Sequence, residues 1–380
     1  KTVDLTGVSM DKTIVKAPAT LTTQPWHSGN ANPVVYASGN ANTVNISKLA
    51  IDGDGGRSID NYVGMLYYEA NGAFDLCKVS GIHDAASFTG SQRGHAYYGS
   101  HTGTLTQTLS ITNNMIKEYQ KGGIYVRGAG TSATITANTV TGQNVPLVIA
   151  QNGIVVMLGA TGDVQNNTVT NNIWNKVEHP HQWTAAGILL YQAAGTTVSG
   201  NTLSGNELAL NSYQSTGVTY GVNTFSNNKI HLWLDAVSDI NAANVYDKYV
   251  LDPPNNPEVV FGCIQYAIDE ATAGDVLNAS AGTFIENVNV HTSVSLNGAA
   301  SLASIIDGGG AGTVVTIAAN NTTLNGFKVQ NSGATATDAG VKLTDGGMTG
   351  VTGCTITNNE ITTFNGLGII GGSANSLTLN

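Results

Sequence analysis

With 380 residues, 46 of them glycine and only 8 of them proline, the chain has the composition of many short strands joined by tight turns. Its net charge of −10 and its three arginines argue against a nucleic-acid partner, because phosphate binding requires clustered cations. No apolar run is long enough to cross a bilayer, so the sequence predicts no membrane span.

Strands are predicted from the first residues onward. Short apolar runs occupy residues 2–5, 13–15, 34–36 and 44–51. No amphipathic helix precedes them, although solenoids normally cover their first coil. We therefore expect the first coil to be exposed, or to be covered by a segment outside this sequence.

One short pattern recurs between residues 111 and 230: apolar, any, small or Asn, Asn, any, apolar. Asparagine tolerates the left-handed backbone region, and its amide can bond to the equivalent amide of the next coil. The pattern predicts tight bends between short strands whose apolar residues share one interior. The asparagines of the successive copies are Asn114, Asn138, Asn167, Asn201 and Asn228, with Asn359 in a sixth copy downstream.

This motif and its spacing resemble the right-handed parallel β-helix of the pectin-lyase-like superfamily over nearly the whole chain. The resemblance implies an all-β solenoid but no single function, since that architecture carries lyases, hydrolases, esterases, adhesins and structural spikes. In its polysaccharide-active members, the substrate lies in a groove along one sheet, beside the loops that follow the Asn bend.

Two insertions follow an Asn bend and its next strand, so we expect both to emerge on the same side of the solenoid. They span residues 83–104 and 173–186. The first contains His83, Asp84, Arg93, His95, Tyr97, Tyr98 and His101, and the second contains Trp174, Lys176, Glu178, His179, His181 and Trp183.

The pattern lapses before residues 246–257, which end in the letters DPPNNP and are predicted to be a linker. Apolar residues at 260, 264, 267, 268 and 271 then follow a helical period and predict one short amphipathic capping helix near 259–271. This helix and the letters GTFIE at 282–286 resemble the opening of copper-system periplasmic β-helix proteins and of pectinesterases.

The sequence also indicates a duplication, because residues 292–298 match residues 1–7 and residues 356–380 track residues 111–137. We therefore expect tandem β-helices. Residues 1–245 would be a first copy without its cap, and residues 258–380 would begin a second copy that breaks off. Such ends suit either a piece of a longer array or head-to-tail self-association.

The face beside the two insertions offers groups for two reactions on polysaccharides. Paired carboxylates could hydrolyse a glycosidic bond, and a Lys or Arg could abstract a proton for β-elimination. We find neither the paired-Asp motifs of polygalacturonases nor the Arg-bearing signatures of pectate lyases, so the sequence leaves open whether the chain is an enzyme. The candidate catalytic residues are His83, Asp84, Arg93, His95, Lys117 and Glu178.

Binding candidates lie on the same face. Asp52 and Asp54 could hold Ca²⁺ through oxygen ligands, although a tight loop needs the same residues. His179 and His181 are a weaker metal candidate, because an irregular loop supplies no further fixed ligand; no other cofactor is predicted. The aromatic residues that could stack on sugar rings are Trp174, Trp183, Tyr97 and Tyr98.

These observations favour an extracellular or cell-surface structural or adhesive β-helix module that binds glycans or neighbouring copies of itself. The alternative is a polysaccharide lyase or glycoside hydrolase that acts in the groove beside residues 83–104 and 173–186. A periplasmic metal-delivery protein ranks last, since only the opening of the second copy favours it.

Overall fold

The computed structural model describes residues 1–27, 29–84, 93–103, 106–145, 148–174, 184–236, 244–252, 256–344, 350–362, 366–371 and 377–379. The chain forms two compact units. The first unit contains residues 1–228 and 233–245, and the second contains residues 229–232 and 246–380.

The first unit is built from three sheets of parallel strands, and each coil of the chain adds one strand to each sheet in turn. The first sheet contains Thr2–Thr6, Thr43–Ser47, Asn71–Asp75, Gln107–Thr112, Thr131–Thr136, Thr161–Gln165, Thr197–Ser199 and Thr219–Tyr220. The second sheet contains Ile14–Lys16, Ala50–Asp52, Lys78–Ser80, Met115–Lys117, Thr139–Thr141, Thr168–Thr170, Thr202–Ser204 and Thr224–Ser226, and the strand Val245–Tyr246 follows them at the unit boundary.

The third sheet of the first unit carries the longest strands. It contains Gly29–Ser38, Tyr62–Tyr68, His95–Ser100, Gly122–Arg127, Asn152–Met157, Ala186–Tyr191 and Leu208–Tyr213. One antiparallel strand, Gln24–Trp26, pairs with the beginning of Gly29–Ser38 and forms a hairpin at the edge of this sheet.

Apolar side chains stack in register in the interior. Ile124 lies beside Ile154, and Ile154 lies beside Ile188, in three successive strands of the third sheet. All three side chains are fully buried. Burying such a side chain stabilises the fold by about 1.5–3 kcal/mol, so each added coil extends a continuous core.

Asparagines form a hydrogen-bonded ladder at the corner between the first and second sheets, as the sequence predicts. Each side-chain amide donates to the side-chain oxygen of the asparagine one coil further on, at 2.9–3.0 Å. The residue that adopts the left-handed conformation is the one before the ladder asparagine, such as Asn113 or Ala137, and not the ladder asparagine itself. The members are Asn114, Asn138, Asn167, Asn201 and Asn223.

The prediction that Asn228 belongs to this ladder is wrong. Asn223 holds that place, while Asn228 lies at the next corner, after the second sheet, in a separate ladder with Asn172 and Asn206. Both corners use an apolar residue three positions before a buried asparagine. The sequence pattern is therefore the same at the two corners and cannot distinguish them.

The second unit repeats the three-sheet arrangement. Its first sheet contains residues 230–232 of the strand Ile230–Trp233, and the strands Asn256–Phe261, Val250–Asp252, Val276–Ala279, Ser295–Asn297, Thr323–Asn325, Cys354–Thr357 and Leu377–Leu379. The other two contain Gly282–Ile285, Ser304–Asp307, Phe327–Gln330 and Glu360–Thr362, and Val288–Val290, Val315–Ile317, Ala339–Leu343 and Leu367–Gly371.

One α-helix occurs among the described residues, Ile264–Glu270, and a short 3₁₀ turn follows at Ala300–Leu302. The helix is shorter than the predicted 259–271, because Asn256–Phe261 is a strand and Cys263 has extended backbone angles. The carboxylate of Glu286 accepts hydrogen bonds from the backbone N–H groups of Ile264 and Gln265. The glutamate of the GTFIE turn thus satisfies two donors that a helix start leaves unpaired.

The prediction of an all-β parallel β-helix with one short helix is confirmed. Part of the predicted linker, residues 250–252 and 256–257, lies in strands of the second unit. The tandem duplication and its boundaries stay predictions. Within the described ranges, no helix has the length and hydropathy that a membrane crossing requires.

Replacing Asn167 with alanine tests the ladder. Asn167 accepts from the backbone N–H and the side chain of Asn138 and donates to the carbonyl of Ile135, all of them buried. The variant should lose at least about 2 kcal/mol in the free energy of unfolding, because several buried polar groups lose their partners. Urea unfolding measures the loss. Asn30→Ala, at an exposed strand position, is the matched control, and an equal loss in both variants would contradict a stabilising ladder.

Candidate functional site

The outer face of the third sheet in the first unit is apolar where a solvated sheet would be polar. Side chains alternate along a strand, so Tyr125, Val155 and Leu189 point away from the core that holds Ile124 and Ile154. They pack in one cluster, and each is at most 9% exposed. A sheet face that is apolar on the outside is covered or binds something.

A cleft of about 210 Å³ opens on this face, beside the turn that leads from the second sheet to the third. Its floor is apolar, and its polar residues lie where the strands begin. The lining residues are Lys121, Tyr125, Ala150, Asn152, Val155, Met157, Thr184, Leu189 and Tyr191. Within the described part of this lining there is no carboxylate.

Lys121 is the cation of the cleft. Its Nζ donates a hydrogen bond to the carbonyl of Ala150 at 2.9 Å, which leaves further N–H groups of the ammonium for a ligand. Burial lowers the pKa of Lys121 from 10.5 to about 8. The side chain is therefore mainly protonated at neutral pH, but it gives up its proton more readily than an ordinary lysine.

Asn152 and Tyr125 form the side of the cleft next to Lys121. Asn152 Nδ2 donates to Tyr125 Oη at 3.2 Å, and Asn152 Oδ1 accepts from the backbone N–H of Ala186 at 3.0 Å. These two bonds fix the amide. Burial raises the pKa of Tyr125, so its hydroxyl stays protonated and can donate to a ligand.

A row of side chains, which we call the outer column, runs along successive coils, and two of its members, Met157 and Tyr191, line the cleft. Its members are held in register by the third sheet, and strands in a sheet lie roughly 4.8 Å apart. Tyr191 and Tyr213 stack with ring centroids 5.5 Å apart. Arg127 has no carboxylate partner within the described residues. The outer column consists of Tyr68, Ser100, Arg127, Met157, Tyr191 and Tyr213.

A compact aromatic group adjoins the cleft at Tyr125. Tyr98 stacks on Tyr125 with centroids 5.5 Å apart, and His27 stacks on Tyr98 at 5.4 Å. Trp26 meets Tyr98 edge-on at 4.8 Å, and His95 meets Tyr125 at 4.7 Å. Burial lowers the pKa of His27 to about 4 and that of His95 to about 3, so both imidazoles are neutral at physiological pH.

The predicted loop position of His95, Tyr97 and Tyr98 is wrong, because all three lie in the strand His95–Ser100. Tyr97 is fully buried against Phe74 and Tyr67 in the core and offers no ring face to a sugar. Tyr98 points to the outer face but is only 4% exposed. The sequence HAYYGS has the composition of a polar, aromatic insertion. It forms a strand, however, so its successive side chains point alternately to the two faces of the sheet.

The turn before this strand contains His83, Asp84 and Arg93. Hydrogen bonds and ion pairs fix their polar groups within the protein. His83 Nδ1 is 2.9 Å from the carbonyl of Asp84, and Gln120 Nε2 donates to the buried Asp84 carboxylate at 3.1 Å. Arg93 lies 3.6 Å from Asp84 and 3.1 Å from Asp60. These charges are paired across neighbouring coils, which is the arrangement of a turn held by its own polar groups.

The remaining candidates are dispersed. Lys117 pairs with its half-buried neighbour Glu118 at 2.8 Å. Asp54 contacts Lys16 at 2.6 Å and Arg57 at 3.0 Å, and Asp52 accepts from the backbone N–H of Asp54. Calcium at this loop would have to displace both cations, and no group of three or more metal-binding side chains occurs in the described ranges.

The second insertion is described only at its ends. The backbone N–H of Trp174, whose side chain is half-buried, donates to Glu207 Oε2 at 3.1 Å, and Thr184 lines the cleft. Both insertions begin after a strand of the second sheet. The second precedes a strand of the third sheet, whereas the first contains the strand His95–Ser100 and ends beyond it. The prediction that both emerge on one side therefore applies only to the part of the first insertion before His95. The candidates Glu178, His179, His181 and Trp183, together with Lys176, lie outside the described residues.

Sequence reasoning missed most of the cleft, including Tyr125, Asn152 and Tyr191. A usable signal was present, however. The strands Gly122–Arg127, Asn152–Met157 and Ala186–Tyr191 each contain consecutive apolar residues and do not alternate, and such runs are typical of strands covered on both faces.

A family model supports the architecture. Residues 65–248 match the family model described as a right handed beta helix region. Two solved structures are similar: a GH136 lacto-N-biosidase from Eubacterium ramulus, at 11% identity and a TM-score of 0.38, and a variant of a PL6 family alginate lyase, at 12% identity and a TM-score of 0.22. They align with 100% and 99% of this chain, which spans 59% and 73% of their lengths. No curated protein sequence matches.

The lowered pKa of Lys121 predicts how stability depends on pH. Between about pH 8 and pH 10.5 the unfolded chain holds a proton on this lysine more often than the folded chain does, so the free energy of unfolding gains a contribution that rises with pH. Lys121→Met removes that contribution. Urea unfolding at pH 7.5 and pH 9 should show a smaller rise, or a steeper fall, in the variant than in the wild type.

Lys78→Met is the matched control, since Lys78 lies in a strand of the second sheet and lines no part of the cleft. Its pH dependence should follow that of the wild type. If the free energy of unfolding of Lys121→Met changes with pH as that of the wild type does, Lys121 titrates like an exposed lysine.

Proposed function

We propose that this right-handed parallel β-helix binds an acidic polysaccharide on the outer face of the third sheet of its first unit, with one sugar in the cleft beside Lys121. The observation that carries the proposal is the cleft itself, with its apolar floor, its cation and its ordered amide. Small concave sites with apolar walls and a few fixed polar groups are typical of ligand sites.

The lining suits a pyranose ring. Such a ring has apolar C–H faces and a polar periphery, so one face can lie against Met157 and Tyr191, which line the cleft and are only partly buried. The hydroxyl groups at its edge would then meet Asn152, Thr184 and the hydroxyl of Tyr125. The bonds that hold Asn152 limit the conformational entropy lost on binding.

The charges favour an acidic sugar. Lys121 can pair with a carboxylate in the cleft, and Arg127 in the outer column can pair with a second one, since its guanidinium has no carboxylate partner in the part of the chain that the structure describes. The rest of the protein is acidic, with a net charge of −10, so these two cations would supply a local preference for anions.

The glycan-binding role would belong to a defined surface, the outer face of the third sheet. An extracellular or cell-surface position agrees with the low charge of the chain and with the β-helix architecture. Structural or adhesive use would follow from holding a polysaccharide at a rigid scaffold. Head-to-tail self-association is a separate prediction, which depends on the first and last coils and not on the cleft.

A second candidate function is β-elimination, and the lowered pKa of Lys121 favours it. As a neutral amine, Lys121 would take the proton from C5 of a uronate. The C4–O bond of the same uronate would then break, and a C4=C5 double bond would form in this sugar, which becomes the new non-reducing end. The departing oxygen would stay on the other sugar, take a proton and become its new reducing end. Hydrolysis needs two carboxylates across the scissile bond, and the described lining contributes none.

Binding can be tested with a panel of polymers of galacturonic, mannuronic and glucuronic acid and their neutral counterparts. We expect at least one acidic polymer to bind in calorimetry and the neutral counterparts to bind at least about 10-fold more weakly, because one buried charge-assisted bond contributes about 1.5–3 kcal/mol. Lys121→Met and Tyr191→Ala should weaken binding, and Lys78→Met should not. Equal binding in all variants would contradict the proposed site.

The pH dependence separates the two functions. Binding through the ammonium should weaken as the pH rises through about 8, whereas elimination by the neutral amine should become faster over the same range. Absorbance of the unsaturated uronate, measured from pH 6 to pH 9 with the polymer that binds best, distinguishes them. No absorbance at any pH, with binding intact, would exclude the lyase and leave the binding protein.

A further inference from the structure

We infer that the cleft receives the end of a polysaccharide chain and not an internal stretch of it. The inference rests on the proposed function and adds the mode of recognition. It depends on a wall that closes the outer face on one side of the cleft.

The wall is the aromatic group next to Tyr125. The rings of Tyr125, Tyr98 and His27 stack one on the next, at 5.5 Å and 5.4 Å between centroids. Trp26 lies edge-on to Tyr98, and its ring is 6.0 Å from that of His95. The stack runs from the strand Gly122–Arg127 across the strand His95–Ser100, in the direction a bound glycan would take along the coils.

A hairpin outside the coils supplies half of this wall. The strand Gln24–Trp26 pairs antiparallel with residues 29–31 and brings Trp26 and His27 over the outer face. Underneath, Val63 and Leu66 are 0% exposed, and Trp26 itself is only 8% exposed. The outer face of the strands Tyr62–Tyr68 and His95–Ser100 is therefore filled by protein, and a sugar cannot continue past Tyr125 on that line.

The size of the cleft agrees with a site that is closed on one side. Its volume of about 210 Å³ is below the range of roughly 300–1,000 Å³ that holds drug-sized ligands, so it suits a single sugar. A groove that threads an internal stretch has to be open on both sides. Met157 and Tyr191 of the outer column also line the cleft and are only partly buried, so the remaining sugars would leave away from Tyr125, past these two side chains.

The composition of the wall also argues for a role in binding. Three of its ring nitrogens are buried and have no hydrogen-bond partner among the residues that the structure describes: Trp26 Nε1, His27 Nδ1 and His95 Nδ1. Burying a polar group without a partner is unfavourable, and aliphatic side chains in the same space would avoid this. A wall built from rigid rings at this cost suits a surface that has to keep its shape against a ligand.

Blocked oligosaccharides test the inference. Trimers of the uronate that binds best in the panel are prepared with native ends, with the non-reducing end capped, and with the reducing end capped, and their Kd values are measured by calorimetry. One capped trimer should bind at least 10-fold more weakly than the native trimer, and the other should bind like it. At equal mass, longer polymers should offer fewer binding sites, in proportion to their number of ends.

Trp26→Ala should remove the wall and reduce the difference between the capped and native trimers to within about 3-fold, while Trp26→Phe should keep the difference. Thermal unfolding shows whether each variant is folded. If Trp26→Ala does not fold, the capped trimers and the polymer series on the wild type decide the question.

Equal binding of all three trimers, with sites on the polymer in proportion to its mass, would overturn chain-end recognition and leave the proposed glycan binding intact. Failure of every acidic polymer and trimer to bind would overturn the proposed function and the inference with it.

Discussion

The structure depends on the register between successive coils. Within the coils of the first unit, parallel strands pair with the equivalent strand one coil further on, so an inward side chain meets its equivalents above and below, as in the column of Ile124, Ile154 and Ile188. The Asn ladders extend this pairing through the corners, where the backbone turns and would otherwise leave its polar groups unsatisfied. A one-residue slip would reverse the two faces of every strand, so core packing and corner hydrogen bonds enforce the same alignment.

The same register arranges the candidate site. Lys121, Asn152 and Thr184 lie at or just before the beginnings of three successive strands of the third sheet, which places them along one side of the cleft. Tyr125, Val155 and Leu189 follow at equivalent outward positions and form the floor. Residues about 30 positions apart in sequence are thus brought together by coil length alone, and a small change in a turn would alter one member without moving the others.

The fold was largely predictable from the sequence, because the asparagine pattern and its spacing reflect the coil directly. The corner occupied by Asn228 was not, since two corners share one local pattern. The sequence predicts a loop for Tyr97 and Tyr98, because their polar neighbours conceal a strand whose adjacent residues face opposite ways. The cleft was harder to predict, because burial, the bond from Asn152 to Tyr125 and the lowered pKa of Lys121 arise from contacts between coils, and a single sequence does not contain these contacts explicitly.

The hairpin that carries Trp26 lies outside the repeating coils. The strand Gln24–Trp26 pairs only at the beginning of Gly29–Ser38, whereas residues 32–38 of that strand are paired within the third sheet. Lengthening, shortening or exchanging this appendage would reshape the blocked side of the groove while the solenoid keeps its pairing. In evolution, a change of only a few residues could in this way convert one scaffold from binding the termini of a polymer to binding its interior, or the reverse.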